Sequence, residues 1–187
     1  MTEGRLVYLI GPSGAGKDTL LGRLRESARV PGEWLVAHRY ITRPANSGGE
    51  NHVALSEREF LARRRMGLFA LTWASHGLHY GVGSEVEVWL RAGAVVLVNG
   101  SRAGLRDAAE RFGERLRPIL LELPANVQRQ RLQARGREQA GQVASRLARE
   151  AQLTPPAHPA MTVLDATASP DILAERLLTR MAAGVES

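Results

Sequence analysis

Eight consecutive residues, Gly11-Pro-Ser-Gly-Ala-Gly-Lys-Asp18, combine three glycines with one lysine at a spacing that wraps backbone amides around a phosphate. Glycines at 11, 14 and 16 allow the N–H groups to turn inward, and a helix starting near Lys17 adds the positive end of its dipole. Lys17 supplies a mobile point charge able to reach β- and γ-phosphates, a task that the wider, planar guanidinium of arginine does poorly. It is the only lysine among 25 basic residues. The chemistry implied is phosphoryl transfer from ATP. Gly11, Pro12, Ser13, Gly14, Ala15, Gly16, Lys17, Asp18 and Thr19 are the expected nucleotide-binding residues, and Lys17 is also expected to be catalytic.

Position 18 departs from the strict form of this motif, in which Ser or Thr offers a hydroxyl to Mg²⁺. A carboxylate is a good magnesium ligand when the metal lies between it and the phosphates. Asp18 is therefore expected to be a direct or water-mediated metal ligand. The alternative is that Asp18 complements the helix dipole while Thr19 serves the metal. The apolar strand Ala94–Val98 ends in Asn99-Gly100-Ser101, where many phosphate-loop enzymes carry a metal-organising acid. An acid gained at 18 and absent at 99 leaves the total charge of such a site similar.

These residues need elements to hold them. Leu6–Ile10 is an unbroken apolar run, as in a buried parallel strand. The glycine turn follows it, and then a helix over Thr19–Arg29. Ser56-Glu-Arg-Glu59 and Ser84-Glu-Val-Glu87 read as capping boxes, opening helices that stop near Gly67 and Gly93. Helices are also expected over 102–112, 126–134 and 141–151, and from Ser169-Pro170 to about Met181. Strands are expected over 94–98, 118–123 and 161–164. Strand–helix alternation implies an α/β chain with a mainly parallel sheet covered on both faces. Residues 38–80 break the alternation, with short extended pieces around one helix, and read as an acceptor-binding insertion.

Composition narrows the function further. At 187 residues with 44% hydrophobic and 24% charged residues, the chain fits one soluble domain. Absence of cysteine excludes disulfides, thiolate metal sites and thiol nucleophiles. No apolar run approaches the ~18 residues of a membrane span, and the N-terminus lacks a signal-peptide layout, so no membrane partner and a cytoplasmic location are expected. The net charge of +6 suits a polyanionic ligand. Scattered arginines and 5% aromatics argue against nucleic acid as the partner. Oligomeric state, monomer or homodimer, stays open.

Residues 11–18, Thr42-Arg43-Pro44, Gly49-Glu50, Trp73-Ala74, Tyr80-Gly81 and Arg135-Gly136-Arg137 stand in the order seen in guanylate kinases, and the resemblance spans nearly the whole chain. It implies a P-loop fold like that of nucleoside monophosphate kinases over 1–187, with the acceptor region at 38–80 and an arginine-bearing lid at 135–150. The positions at which that family reads guanine with acids carry Thr72 and Asn99, which removes the acceptors that guanine N–H groups need. Gly-Ala-Gly-Lys-Asp18, Tyr40-Ile-Thr-Arg-Pro44, Glu50-Asn-His52, Ala54-Leu-Ser56, Gly67-Leu-Phe-Ala-Leu71 and Val98-Asn-Gly-Ser-Arg102 more closely resemble the ribose 1,5-bisphosphate phosphokinases of phosphonate degradation. Asp18 belongs to that pattern. The resemblance implies ATP and Mg²⁺ as cofactors and a sugar bisphosphate as the acceptor.

Individual roles follow. Arg43, in an extended segment before a proline, is expected to bind an acceptor phosphate, as is Tyr80, whose alternative is a half-buried core tyrosine. Glu50 is assigned to ribose hydroxyls, and Asn99 and Arg102 to the acceptor side at the C-terminal end of the sheet. Arg135 and Arg137 flank a glycine hinge and are expected on ATP phosphates. Arg146 shares a helix face with Arg149 and is expected to reach the transferring group, making Arg135 and Arg146 catalytic. Arg63-Arg64-Arg65 reads as a solvated helix face; Trp73, His76 and His79 read as packing or pocket walls. The competing functions are a nucleoside monophosphate kinase and a non-catalytic binding module of the same fold.

Overall fold

The computed structural model describes residues 4–27, 31, 33–47, 50–134, 147 and 157–183. Strand β1 (Arg5–Ile10) lies at the centre of a five-stranded sheet with β2 (Trp34–Val36), β7 (Val95–Asn99), β8 (Leu116–Glu122) and β9 (Thr162–Asp165), in the order β2-β7-β1-β8-β9. Every pairing in it is parallel. All five residues from Leu6 to Ile10 are fully buried because both faces of β1 are covered. Leu6, Tyr8 and Ile10 face a core with α3 (Glu85–Arg91) and α4 (Leu105–Phe112). Val7 and Leu9 face a second core built by α1 (Lys17–Glu26) and α6 (Pro170–Ala183). At about 1.5–3 kcal/mol for each large side chain buried, this one strand anchors both layers. The expected α/β architecture is the one that forms.

The 38–80 segment is more ordered than short extended pieces around a helix. It contains β3 (Arg39–Ile41), β4 (Val53–Ala54), β5 (Phe69–Ser75) and the first half of β6 (Leu78–Gly83), which make a second, four-stranded sheet in the order β4-β3-β6-β5. Its helix α2 (Glu57–Arg65) is capped as expected, Ser56 Oγ receiving the Glu59 amide at 3.2 Å. Phe60 of α2 stacks on Phe69 at 4.7 Å. Ala70, Leu71 and Val82 join the core of the larger sheet, so the two sheets share apolar packing.

One expected cap is absent. Helix α3 begins where the sequence places it, but Ser84 is itself helical in conformation (φ −67°, ψ −12°) and its hydroxyl makes no cap bond. A capping hydroxyl needs extended backbone at its own residue to face the free amides. The acids of that motif are used elsewhere: Glu85 receives Tyr40 OH at 3.3 Å and Glu87 receives Arg111 at 2.7 Å.

Candidate active site

The loop after β1 is shaped by its glycines. Gly14 and Gly16 take left-handed backbone angles (φ 85° and 88°), which residues with a Cβ adopt only at a cost. Lys17 opens α1, and its Nζ donates to the Gly11 carbonyl at 2.7 Å and the Pro12 carbonyl at 3.2 Å. Helix α5 (Ala125–Ala134) braces the loop from outside. Gln128, only 5% exposed, donates from Nε2 to the Ser13 carbonyl at 3.0 Å. Arg131 reaches the carbonyls of Gly14 at 3.5 Å and Thr167 at 3.3 Å. The loop is thus held by carbonyl contacts from a neighbouring helix.

A cavity of about 390 Å³ opens between this loop, the end of β7 and the smaller sheet, with Lys17, Asp18, Arg39, Arg43, Tyr80 and Asn99 on its walls. The C-terminal ends of parallel strands are where such sheets bind ligands. Asn99 closes β7 and is 4% exposed; its Nδ2 donates to Asp18 Oδ1, and its Oδ1 has no protein partner. Residues 18 and 99 therefore touch, so an acid at one and an amide at the other still leave one carboxylate at the same point of the site. The backbone after Asn99 is fixed by Tyr8. Its hydroxyl receives the Ser101 amide at 3.0 Å, and Gly100 crosses so closely that a Cβ there would come within 2.3 Å of the Tyr8 ring. Burial pushes that hydroxyl up to about 12, and it stays protonated.

Across the cavity lies a charge cluster. Glu50 is 9% exposed as a side chain; one oxygen receives Arg39 Nε and the other receives Arg43 at 3.0 Å. Burial opposes its ionisation, but the hydrogen bonds and charges of the two arginines outweigh it and hold the carboxyl below its ordinary range. His52 lies behind Arg43, its Nε2 3.2 Å from the Arg43 carbonyl and its Nδ1 3.3 Å from the Arg43 guanidinium. Nδ1 also lies 3.1 Å from the Glu50 carbonyl. Arg39 lies 5.2 Å over the Tyr80 ring, whose other neighbour, Trp73, is almost parallel to it (3°) with centroids 5.6 Å apart.

Of the expected site residues, Lys17, Asp18, Arg43, Tyr80 and Asn99 converge on one cavity. Glu50 is not part of its wall; its two oxygens are taken by the arginines. Arg102 is not on the wall, although its neighbour Ser101 is, and Thr72 lies along a separate depression with Asp107 and Arg111. Trp73 and His76 line the cavity as walls, whereas His79 stacks on Phe60 at 5.4 Å. Thr19 points elsewhere, into a second cavity of about 340 Å³ bounded by Ala15, Arg131, Ala134, Ala166 and Leu173. Successive helix residues are about 100° apart, which separates the two candidate metal side chains. Arg135, Arg137 and Arg146 lie outside the described residues, as do the expected lid and the helix expected over 141–151 apart from Leu147, which is helical.

Arg39 and Gln128 were not singled out by sequence. Arg39 has a signal in retrospect: it lies two residues before Ile41 and four before Arg43, on one face of an extended segment. Gln128 is an amide one helical turn before Leu132, and these two are the buried residues of α5.

A model of the AAA domain family matches residues 6–154. A ribose 1,5-bisphosphate phosphokinase of Enterobacter lignolyticus is 55% identical over 152 residues, covering 81% of this chain and 79% of that protein. One from Klebsiella pneumoniae is 54% identical over 152 residues, covering 81% and 80%. Among solved structures, guanylate kinase from Anaplasma phagocytophilum is similar in fold, with a TM-score of 0.73 at 18% identity over 100% of this chain and 88% of that one. A gluconokinase from Sinorhizobium meliloti is similar at a TM-score of 0.54 and 15% identity, over 100% and 96%.

Proposed function

The chain belongs to the ribose 1,5-bisphosphate phosphokinase family, and we propose that its site moves the γ-phosphoryl group of ATP onto the 1-phosphate of ribose 1,5-bisphosphate, giving ADP and 5-phosphoribosyl 1-diphosphate. The observation that carries this reading is the cavity itself. Lys17, Arg39 and Arg43 surround it, while the amide of Asn99 stands where a guanine-binding kinase of this fold is expected to carry an acid. Residues 38–80 then form the acceptor region.

The residues present fit both cofactors. The left-handed glycines and Lys17 suit the nucleotide phosphates, and the apolar second cavity suits the base. No cluster of three or more metal-ligating side chains occurs among the described residues. The single carboxylate of Asp18 matches magnesium, which keeps waters and takes one or two carboxylates beside substrate phosphates. When bound, Mg·ATP supplies the phosphoryl group and part of the charge neutralisation. A reaction that draws on ATP fits the cytoplasmic location expected from the sequence.

The acceptor phosphate, with a second pKa near ~6, is already largely dianionic at neutral pH, and no side chain has to remove a proton. One acceptor oxygen forms the new P–O bond as the bond to the β-phosphate oxygen breaks. The chain's task is to bring two anions together and hold their charge. Lys17 serves the donor phosphates and Arg43 an acceptor phosphate. Tyr80, fixed by Trp73, walls the acceptor. Glu50 serves as a positioning residue that fixes the arginines, in place of the sugar-hydroxyl role expected from sequence.

An ADP-release assay over ribose 1,5-bisphosphate and a panel of nucleoside monophosphates tests the reading; faster turnover of GMP overturns it, and no turnover of any acceptor favours a binding module. Asp18→Ser is expected to raise the Mg²⁺ concentration for half-maximal rate by about tenfold or more. An unchanged metal requirement and rate would return the metal to Thr19.

A further inference from the structure

Arg39 joins the two halves of the site. It opens β3 in the smaller sheet, yet its terminal nitrogen lies 3.7 Å from Asp18 Oδ1, in the first turn of α1. Its side chain is 12% exposed and held on two further sides, by Glu50 at Nε and by the Tyr80 ring beneath the guanidinium. Arg43 shares Glu50, but its other described partners belong to His52, within the same sheet's loop. The two arginines therefore differ in reach, one touching the donor side and the other remaining on the acceptor side.

That difference assigns different phosphates. A reacting phosphate must come within about 3–3.5 Å of the group it attacks, so its ligand has to stand beside Lys17 and Asp18. Of the two described arginines on the cavity wall, Arg39 reaches Asp18 at 3.7 Å, whereas the described ion pair of Arg43 is with Glu50. We propose that Arg39 is a catalytic residue that binds the acceptor's reacting phosphate and presents it to the donor, while Arg43 holds the non-reacting end of the acceptor. This rests on the phosphokinase reading above. Asp18 is the counter-charge of Arg39 before ligands bind. If Asp18 held a metal ion, it would no longer neutralise Arg39, and the terminal nitrogen of Arg39 would be available to a phosphate oxygen. Tyr80, itself stacked on Trp73, lies 5.2 Å from the Arg39 guanidinium, whose fork of donors suits bidentate pairing with phosphate oxygens.

Arg39→Met and Arg39→Lys test this, with two readouts. One is kcat for ribose 1,5-bisphosphate; the other is the calorimetric Kd of ribose 5-phosphate, which lacks the reacting phosphate. Expected for Arg39→Met is a fall in kcat of about 10²–10³-fold, and for Arg39→Lys of about tenfold or more, because the ammonium loses the fork. Ribose 5-phosphate should bind both variants within about twofold of wild type, which also certifies an intact pocket; Arg43→Lys should weaken that binding instead. A kcat within about threefold of wild type in Arg39→Met overturns the assignment, as does loss of ribose 5-phosphate binding in parallel with kcat. If the wild type instead prefers GMP, the sugar reading fails. The same pair of measurements with GMP and guanosine then decides Arg39 independently.

Discussion

Replacing Lys17 with methionine should lower kcat at saturating ATP by about three orders of magnitude, and replacing it with arginine by nearly as much. In the ligand-free protein the ammonium is bonded to the carbonyls of Gly11 and Pro12, inside the turn that its own loop makes. A single tetrahedral donor set at the end of a flexible stem fits there and can swing to phosphate oxygens. A guanidinium brings the same charge but needs a planar space wider than this turn provides. The side chain is only half-buried, so losing its loop contacts should cost about 1 kcal/mol, a shift of roughly 2–4 °C in melting temperature for a chain of this size. The comparison is kcat against thermal midpoint in the same preparation. A Lys17→Arg variant that retains wild-type turnover would overturn the assignment of the loop.

The second large effect is expected at Glu50, through residues it positions. Glu50→Gln leaves one carbonyl oxygen for two guanidinium groups and points an amide donor at one of them. Breaking one member of a buried charge cluster costs several kcal/mol in a closed interior; beside this open cavity about 2–3 kcal/mol is expected. KM for the acceptor should rise by about tenfold or more and kcat should fall, while KM for ATP, whose ligands lie on the loop, should stay near wild type. Acid titration supplies an independent check. The Glu50 carboxyl is held below its ordinary value of 4.5 in the folded protein, so the unfolded chain takes up its proton first as pH falls. Its stabilising contribution is complete above about 4.5 and disappears as pH drops through the lower folded value. The stability gap between wild type and Glu50→Gln should therefore be full at neutral pH and shrink steadily below about pH 4.5. A gap independent of pH would mean that the variant acts by packing alone.

Much of this fold is legible in the sequence alone. The run Leu6–Ile10, the glycine turn and the start of α1 are contiguous, and each signal is local: apolar continuity for a strand buried on both faces, then glycines, then helical spacing. The same reasoning located β7, β8, α5 and α6 to within a few residues. It did not find β2, whose three residues carry too little pattern and are ordered by pairing with β7. Nor did it find the second sheet. Strands β3 and β4 have three and two residues, and their partners lie as many as 43 positions away, at Arg39 and Val82.

The phosphate loop and its lysine are determined by the sequence itself, because one stretch of about eight residues contains both the shape and the charge that bind phosphate, and the family is legible in short strings spread from that loop to Arg102. What only the tertiary structure decided is how charges from different elements meet. Asp18 and Asn99 touch across 81 positions of chain, Arg39 of the smaller sheet reaches the helix that follows the loop, and Glu50 is taken up by two arginines. Each of these depends on where a strand ends after packing, and no local pattern encodes that, since the identity of a charged residue fixes its chemistry but not its neighbour.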